Sequence, residues 1–225
     1  EKSEYLVTTG EISVYAGAYY NGSVYAFGQS GRDYLFYTMK IDPSNFSQEV
    51  LAQVDCQIRD MAFDYTTGAM FAIVQDDKHV GALAQMNLET GLLTIVGDTG
   101  TELVALACDD EGVLYGVALD GRFGGKLYQL DKVTAAATAI GSTIYPSDTY
   151  QSMTYDFNND TIYWAQSSNY GGRFLELDRA TGNVKDLGRV NAGGGTAESN
   201  GIQTTALFSV PEKEPQVPET LAATG

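Results

Sequence analysis

The sequence predicts an all-β fold, a β-propeller of four-stranded blades about 45 residues long, with four full blades plus a composite blade closed by the two termini. Three observations carry that expectation. A hairpin pattern of apolar strand, polar turn and apolar-aromatic strand recurs along the 225-residue chain. A second motif follows each hairpin at the same period. No window keeps apolar residues at i, i+3, i+4 and i+7 over the length of a helix, which leaves strands and turns.

The hairpin is clearest in MAFDYTTGAMFAIV (Met61 to Val74). It returns as LACDDEGVLYGVAL (Leu106 to Leu119) and MTYDFNNDTIYWAQ (Met153 to Gln166), with a shorter form in AYYNGSVYAFG (Ala18 to Gly28). The large residue opening its second strand falls at Tyr25, Phe71, Tyr115 and Tyr163, spacings of 46, 44 and 48. The second motif reads TMKIDPSN, QMNLETG, YQLDKVT and LELDRATG, with central aliphatics Ile41, Leu88, Leu130 and Leu177 at spacings of 47, 42 and 47. A last strand pattern trails each copy: EVLAQV, LLTIVGDTG, AATAIGST and NVKDLGRV. Gly, Asn, Asp and Thr clusters between these pieces supply the turns. The repeats therefore lie near 16–54, 58–100, 103–143 and 150–190.

A ring of sheets must close, because an open edge invites pairing with other chains. The strand-like ends EYLVTTGEISV (Glu4 to Val14) and GIQTTALFSV (Gly201 to Val210) are expected to meet in the composite blade, completing a domain over 1–210. The tail from 211 to 225 holds three of the five prolines and three acids. It is expected to be an extended linker that leaves the domain within a longer chain.

With 44% hydrophobic residues the chain can bury a large core as a monomeric domain. Its 13 basic and 29 acidic residues give a net charge of −16. That argues against nucleic acid, whose backbone demands Lys and Arg clusters, and against an anionic membrane surface. No run of 18 apolar residues is present, so no membrane insertion is expected. Cys56 and Cys108 occupy different registers of the repeat, Cys108 within a strand as a small buried hydrophobe; pairing between them is left open. With one histidine, His79, there is no Cys/His metal set, and no D-x-D-x-D-G run marks a calcium loop. No metal or cofactor is expected.

The strings DMAFDYTTGAMFAIV, LACDDEGVLYGV, KLYQLDKVTAAATAIGST and QSMTYDFNNDTIYWAQ resemble repeats of large secreted, multi-module proteins of Gram-positive anaerobes, many from the gut. The resemblance runs from Ala16 to Val210. It implies an extracellular or cell-surface module, set beside Ig-like domains and sometimes dockerins, that works in adhesion or polysaccharide capture. It carries over no catalytic residues.

In a propeller, the turns after the first and third strands share one face, and these are short and repetitive here. The opposite face receives the longer loops, which vary from blade to blade, and loops on a rigid scaffold are where binding concentrates. Trp164 stands where the other copies have Ala26, Ala72 and Gly116. It is either a packing filler or a flat platform for the apolar face of a sugar. On the second reading the site comprises Trp164, Tyr170, Tyr145 and Tyr150 as rings, with Gln166, Arg173, Arg122, Phe123 and Arg59 around them. Asp60, Asp120 and Asp148 are the carboxylates near that face, but their neighbourhoods match no glycosidase pattern. No G-x-S-x-G elbow occurs. No catalytic residue is assigned. The expected function is a non-catalytic extracellular module that captures a polysaccharide such as starch or a plant glucan. The alternative is a protein-binding or spacer module of a surface adhesin or multi-enzyme complex.

Overall fold

The computed structural model describes residues 12–119, 125–147, 151–167, 172–189 and 206–218. It forms four antiparallel four-stranded sheets, each ordered as its strands follow in the chain, and together they make a four-bladed β-propeller. Blade 1 holds β1 (Ile12–Tyr20), β2 (Ser23–Ser30), β3 (Phe36–Ile41) and β4 (Gln48–Val54). Blade 2 holds β5 (Gln57–Asp64), β6 (Ala69–Gln75), β7 (Ala82–Met86) and β8 (Leu93–Asp98). Blade 3 holds β9 (Leu103–Cys108), β10 (Leu114–Ala118), β11 (Lys126–Leu130) and β12 (Ala137–Ser142). Blade 4 holds β13 (Ser152–Asp156), β14 (Thr161–Gln166), β15 (Arg173–Leu177) and β16 (Val184–Arg189). The four expected repeats are these four blades.

The inner strands pack in sequence, β1 on β5, β5 on β9 and β9 on β13, and β5 also meets β13 across the axis. One buried carboxylate joins three of them. Asp60, on β5, accepts hydrogen bonds from the Leu106 N–H at 2.8 Å and the Met153 N–H at 2.9 Å. Its other oxygen accepts the Ser152 hydroxyl at 2.8 Å. The cavity on the axis is only about 30 Å³, lined by all four blades together with Leu207 and Ser209. That is room for about one water among the described residues.

The recurrent acids of the short turns are turn-formers. Asp42, Asp64, Asp109, Asp131, Asp156 and Asp178 each accept the backbone N–H two residues on, as does Asn87. This is the Asx-turn chemistry that makes Asp and Asn turn residues. Asp64 has a second role. Burial would raise its pKa, but the Lys132 ammonium 2.6 Å away and the Thr66 and Thr67 hydroxyls outweigh that and hold the carboxyl below its usual range. Lys132 comes from blade 3; Arg179 of blade 4 donates to Asp160 of its own blade at 2.6 Å and lies 3.7 Å from Asp109 of blade 3, a looser ion pair. Each of these cations clasps the preceding blade.

A second clasp uses the turn between the third and fourth strands. Thr38 of blade 1 donates to the Gly91 carbonyl of blade 2 at 2.9 Å. A side chain at Gly141 of blade 3 would collide with the Thr181 carbonyl of blade 4. At the matching Gly188 of blade 4, an added Cβ would meet nothing within 4 Å among the described residues. The seam between blades 4 and 1 is therefore built differently from the other three junctions.

Residues 206–217 lie at that seam. Leu207 N–H donates to the Ser152 hydroxyl, Ser209 N–H to the Thr154 hydroxyl and Glu212 N–H to the Asn158 side chain. Steps of two on both sides set this segment extended and parallel to β13. Three expectations are corrected here. Ile12 to Val14 belong to β1, paired with Ser30 to Gly28, rather than to a closing blade. Residues 206–210 form no strand, because β13's side chains rather than a backbone ladder hold them. The tail does not leave the domain at 211: Glu214 accepts the Asn21 N–H and the Tyr65 hydroxyl, and Val217 packs on the blade 1–blade 2 core. The rest of the expected closing pieces, residues 4–11 and 201–205, lie outside the described residues. Cys56 and Cys108 are both free thiols. Among the described residues no helix is long and apolar enough to cross a membrane.

Two outcomes follow from these contacts. Burial pushes the Asp60 carboxyl up to about 8, against the hydrogen bonds that lower it. Its unfolded value is about 3.9. Between those values the folded chain holds a proton that the unfolded chain releases. The stability from this group is therefore full below pH ~4 and is lost as pH rises through ~8. Thermal melts from pH 5 to 9 are expected to show the parent losing stability relative to Asp60→Asn, and parallel curves would refute this protonation. Lys132→Ala leaves the buried Asp64 carboxylate without its cation. It is expected to lower stability by roughly 1–3 kcal/mol in urea unfolding, while Lys185→Ala, at an exposed pair, changes it by less than about 1 kcal/mol.

Candidate functional site

The candidate site is built by bulges. In β1 and β5 the pairing with the next strand shifts by one residue, at Tyr15 and Arg59. A bulge re-aims the side chain it displaces, and both displaced residues line one cavity between blades 1 and 2, on the long-loop face. Phe27, Phe36, Gln29, Gln57 and Ile58 complete its lining, and its volume is about 120 Å³. Pockets for drug-sized ligands run from ~300 Å³ upward, so this one takes a single small unit of a larger ligand.

Its walls and rim differ in chemistry. Phe27 and Phe36 stack with centroids 5.4 Å apart, and Tyr15 tilts against Phe27 at 6.5 Å. The β2 strand supplies both Phe27 and Gln29, two residues apart and so on one side of the sheet. The Gln29 amide donates to the Tyr34 carbonyl at 2.9 Å, which fixes its orientation. Tyr34 itself, at φ 62°, stands 73% exposed on the adjoining loop. Arg59 donates to the Gln75 side chain, and Gln57 is exposed at the mouth. No carboxylate is among the described lining residues. Phe27 is buried beneath Phe36, so the pocket offers partly exposed edges of Phe36 and Tyr15 beside amide and guanidinium groups, a setting for groups rich in hydrogen-bond acceptors.

The expected site residues separate. Arg59 lines this pocket. Tyr145 and Arg173 meet instead on blade 4, where the guanidinium lies 5.8 Å from the Tyr145 ring and pairs with Asp186, which also accepts the Tyr145 hydroxyl at 3.2 Å. Gln166 is buried and donates to the Pro146 carbonyl at 2.7 Å, so that amide donor is spent inside the blade. Tyr170, Tyr150, Arg122 and Phe123 lie outside the described residues, as do Asp120 and Asp148. Asp60 is fully buried at the axis and serves the ring.

Trp164 is the main correction. It is 0% exposed, and its indole N–H donates to the Gln151 side chain at 2.6 Å. No ring face is open to a sugar. The reason is volume exchange between neighbouring blades. At the blade 1–blade 2 junction, Phe27 of blade 1 and Ala72 of blade 2 share one cluster. At the blade 3–blade 4 junction the matching pair is Val117 and Trp164. The small Val117 leaves the space that the indole fills, keeping the core at close-packed density.

No protein-family model and no curated protein matches this sequence. Solved structures do resemble the fold. The chain is similar to one in the crystal structure of a Nidogen/Laminin complex, with TM-score 0.59 and 13% identity, covering 89% of this chain and 70% of that one. It is also similar to a structural genomics protein of unknown function from Bacteroides thetaiotaomicron VPI-5482, with TM-score 0.56 and 14% identity. That match covers 80% of this chain and 44% of the other, so this chain spans under half its length. At these identities the likeness is one of propeller fold.

Because Trp164 is the sole tryptophan, its fluorescence reports the burial directly. Emission in the blue-shifted range of a buried indole, shielded from acrylamide, is expected. Trp164→Ala should cost about 3–5 kcal/mol in chemical unfolding, as for other buried aromatic truncations.

Proposed function

We propose that this propeller is a non-catalytic binding module that captures a neutral polysaccharide at a bacterial cell surface, one sugar unit at a time in the pocket between blades 1 and 2. The observation that carries the reading is the pocket's composition: the half-buried rings of Phe36 and Tyr15, backed by buried Phe27, beneath a rim of Gln29, Gln57 and Arg59. Flat rings suit the apolar face of a pyranose, and amides and guanidinium suit its hydroxyls. The small volume supports recognition of one unit within a chain whose remainder runs over the loop face. The described lining residues include no paired carboxylates of the kind glycoside hydrolysis uses, which favours capture over cleavage. A chain of net charge −16 repels polyanions at long range, which favours an uncharged glycan such as starch or a plant glucan. The resemblance to repeats of secreted modular proteins supports the surface setting.

A second reading, a protein-binding or spacer module, is favoured by the outer face of blade 4. There Tyr163 stacks on Phe174 at 5.2 Å and Leu187 is 43% exposed, at the junction where no described residue lies within 4 Å of a Cβ added at Gly188. The test is retention on insoluble starch, cellulose, xylan and mucin, followed by calorimetry on the soluble fragment of whichever binds. Phe36→Ala and Arg59→Ala are each expected to weaken binding at least tenfold, while Arg173→Ala leaves it within twofold. No retention on any of the four, or retention that the pocket variants do not alter, would overturn the glycan reading and favour the second.

A further inference from the structure

The seam between blades 4 and 1 and residues 206–217 fit one another. At two of the other junctions a cation from the next blade reaches the first-turn acid: Lys132 to Asp64, and Arg179 to Asp109. The equivalent acid of blade 4 is Asp156. Beyond its own turn, it accepts the Ser209 hydroxyl at 3.1 Å, from the C-terminal segment. The same segment runs parallel to β13 on side chains at steps of two, the course an inner strand of a neighbouring blade would take. It then crosses the short-turn face from blade 4 to blades 1 and 2. Asn158 of blade 4 holds the Glu212 N–H at 2.9 Å, and the Glu214 carboxylate takes the Asn21 N–H of blade 1. The Tyr65 hydroxyl of blade 2 donates to that carboxylate at 3.1 Å. Val217 reaches the turn at Gly68, where an added Cβ would fall 2.8 Å from the valine methyl.

We infer that the short-turn face carries a groove for an extended, proline-containing acidic peptide, that residues 206–217 are its resident ligand, and that filling it closes the ring between blades 4 and 1. Two anchors set the specificity. The carboxylate at Glu214 is read by one backbone and one hydroxyl donor, and the small branched side chain at Val217 is read by the space above Gly68. The environment of Tyr65 fits this reading: burial first, then the Glu214 carboxylate, raise its hydroxyl above the usual range, so it remains a donor. Proline suits the ligand, because this stretch is held mainly by side chains and forms no strand that would need every N–H.

The experiment uses the full chain. Amide hydrogen exchange at Asn21 is compared between the parent, Glu214→Ala and Val217→Asp, and exchange at least tenfold faster in both variants is expected. A labelled synthetic peptide of residues 206–218 is then titrated into the same three proteins. It should bind the variants at least tenfold more tightly than the parent, whose groove is occupied in cis at high effective concentration. Unchanged protection of Asn21 would show that the segment does not hold the seam. Faster exchange without binding of the peptide would show that there is no groove, only a tethered tail. Either result overturns the inference, and neither depends on whether the loop-face pocket binds a glycan.

Discussion

The carboxylate of Asp60 is the group on which the ring depends. No backbone ladder runs between the four sheets; beyond the single chain that links one blade to the next, side-chain contacts join them. Asp60 answers that at the axis, where it ties β5 to the backbone of β9 and β13 and, through the Ser152 hydroxyl, to Leu207. A buried acceptor serving obligate N–H donors from two other sheets fixes their relative height, and the described residues leave only about 30 Å³ at the centre. The cost is desolvation, which is large enough to raise the group's pKa to about 8. Position in the core, rather than acidity near a pocket, explains this perturbed carboxyl.

Around that centre the blades are joined by a repeated rule with one exception. Clasps reach backward from each turn to the blade before it, by a cation on an acid or by a turn seated on an outer strand. Among the described residues no such clasp joins blades 4 and 1, and a segment without secondary structure of its own lies there instead. The same logic of neighbouring blades explains the two aromatic features. Phe27 with Ala72, and Val117 with Trp164, are two ways of filling equivalent gaps. The loop-face pocket arises where bulges at Tyr15 and Arg59 turn side chains into the gap between two sheets.

Much of the fold was legible in the sequence because a blade is local. Hairpins such as Met61 to Val74 pair residues a few positions apart, so period-2 strands and Asx turns show directly in the order of residues. The reading of the site was less accurate. Arg59 was found on its loop-face position. Tyr15, Phe27, Gln29, Phe36 and Gln57 were missed, because a one-residue bulge leaves no mark in an alternating pattern. Trp164 stood out by size within its own repeat, which left filler and platform both open; its place as a filler is set with Val117 of the preceding blade.

The sequence by itself determined the strand order, the blade period, the turn acids and the acidic surface, since each rests on interactions within one repeat or on composition alone. Tertiary structure decided which large residues are core, where the ring closes and which side chains share a pocket. Those outcomes depend on contacts between sheets some forty or more residues apart, for which volume and hydrogen bonding must match across a junction that no single repeat encodes.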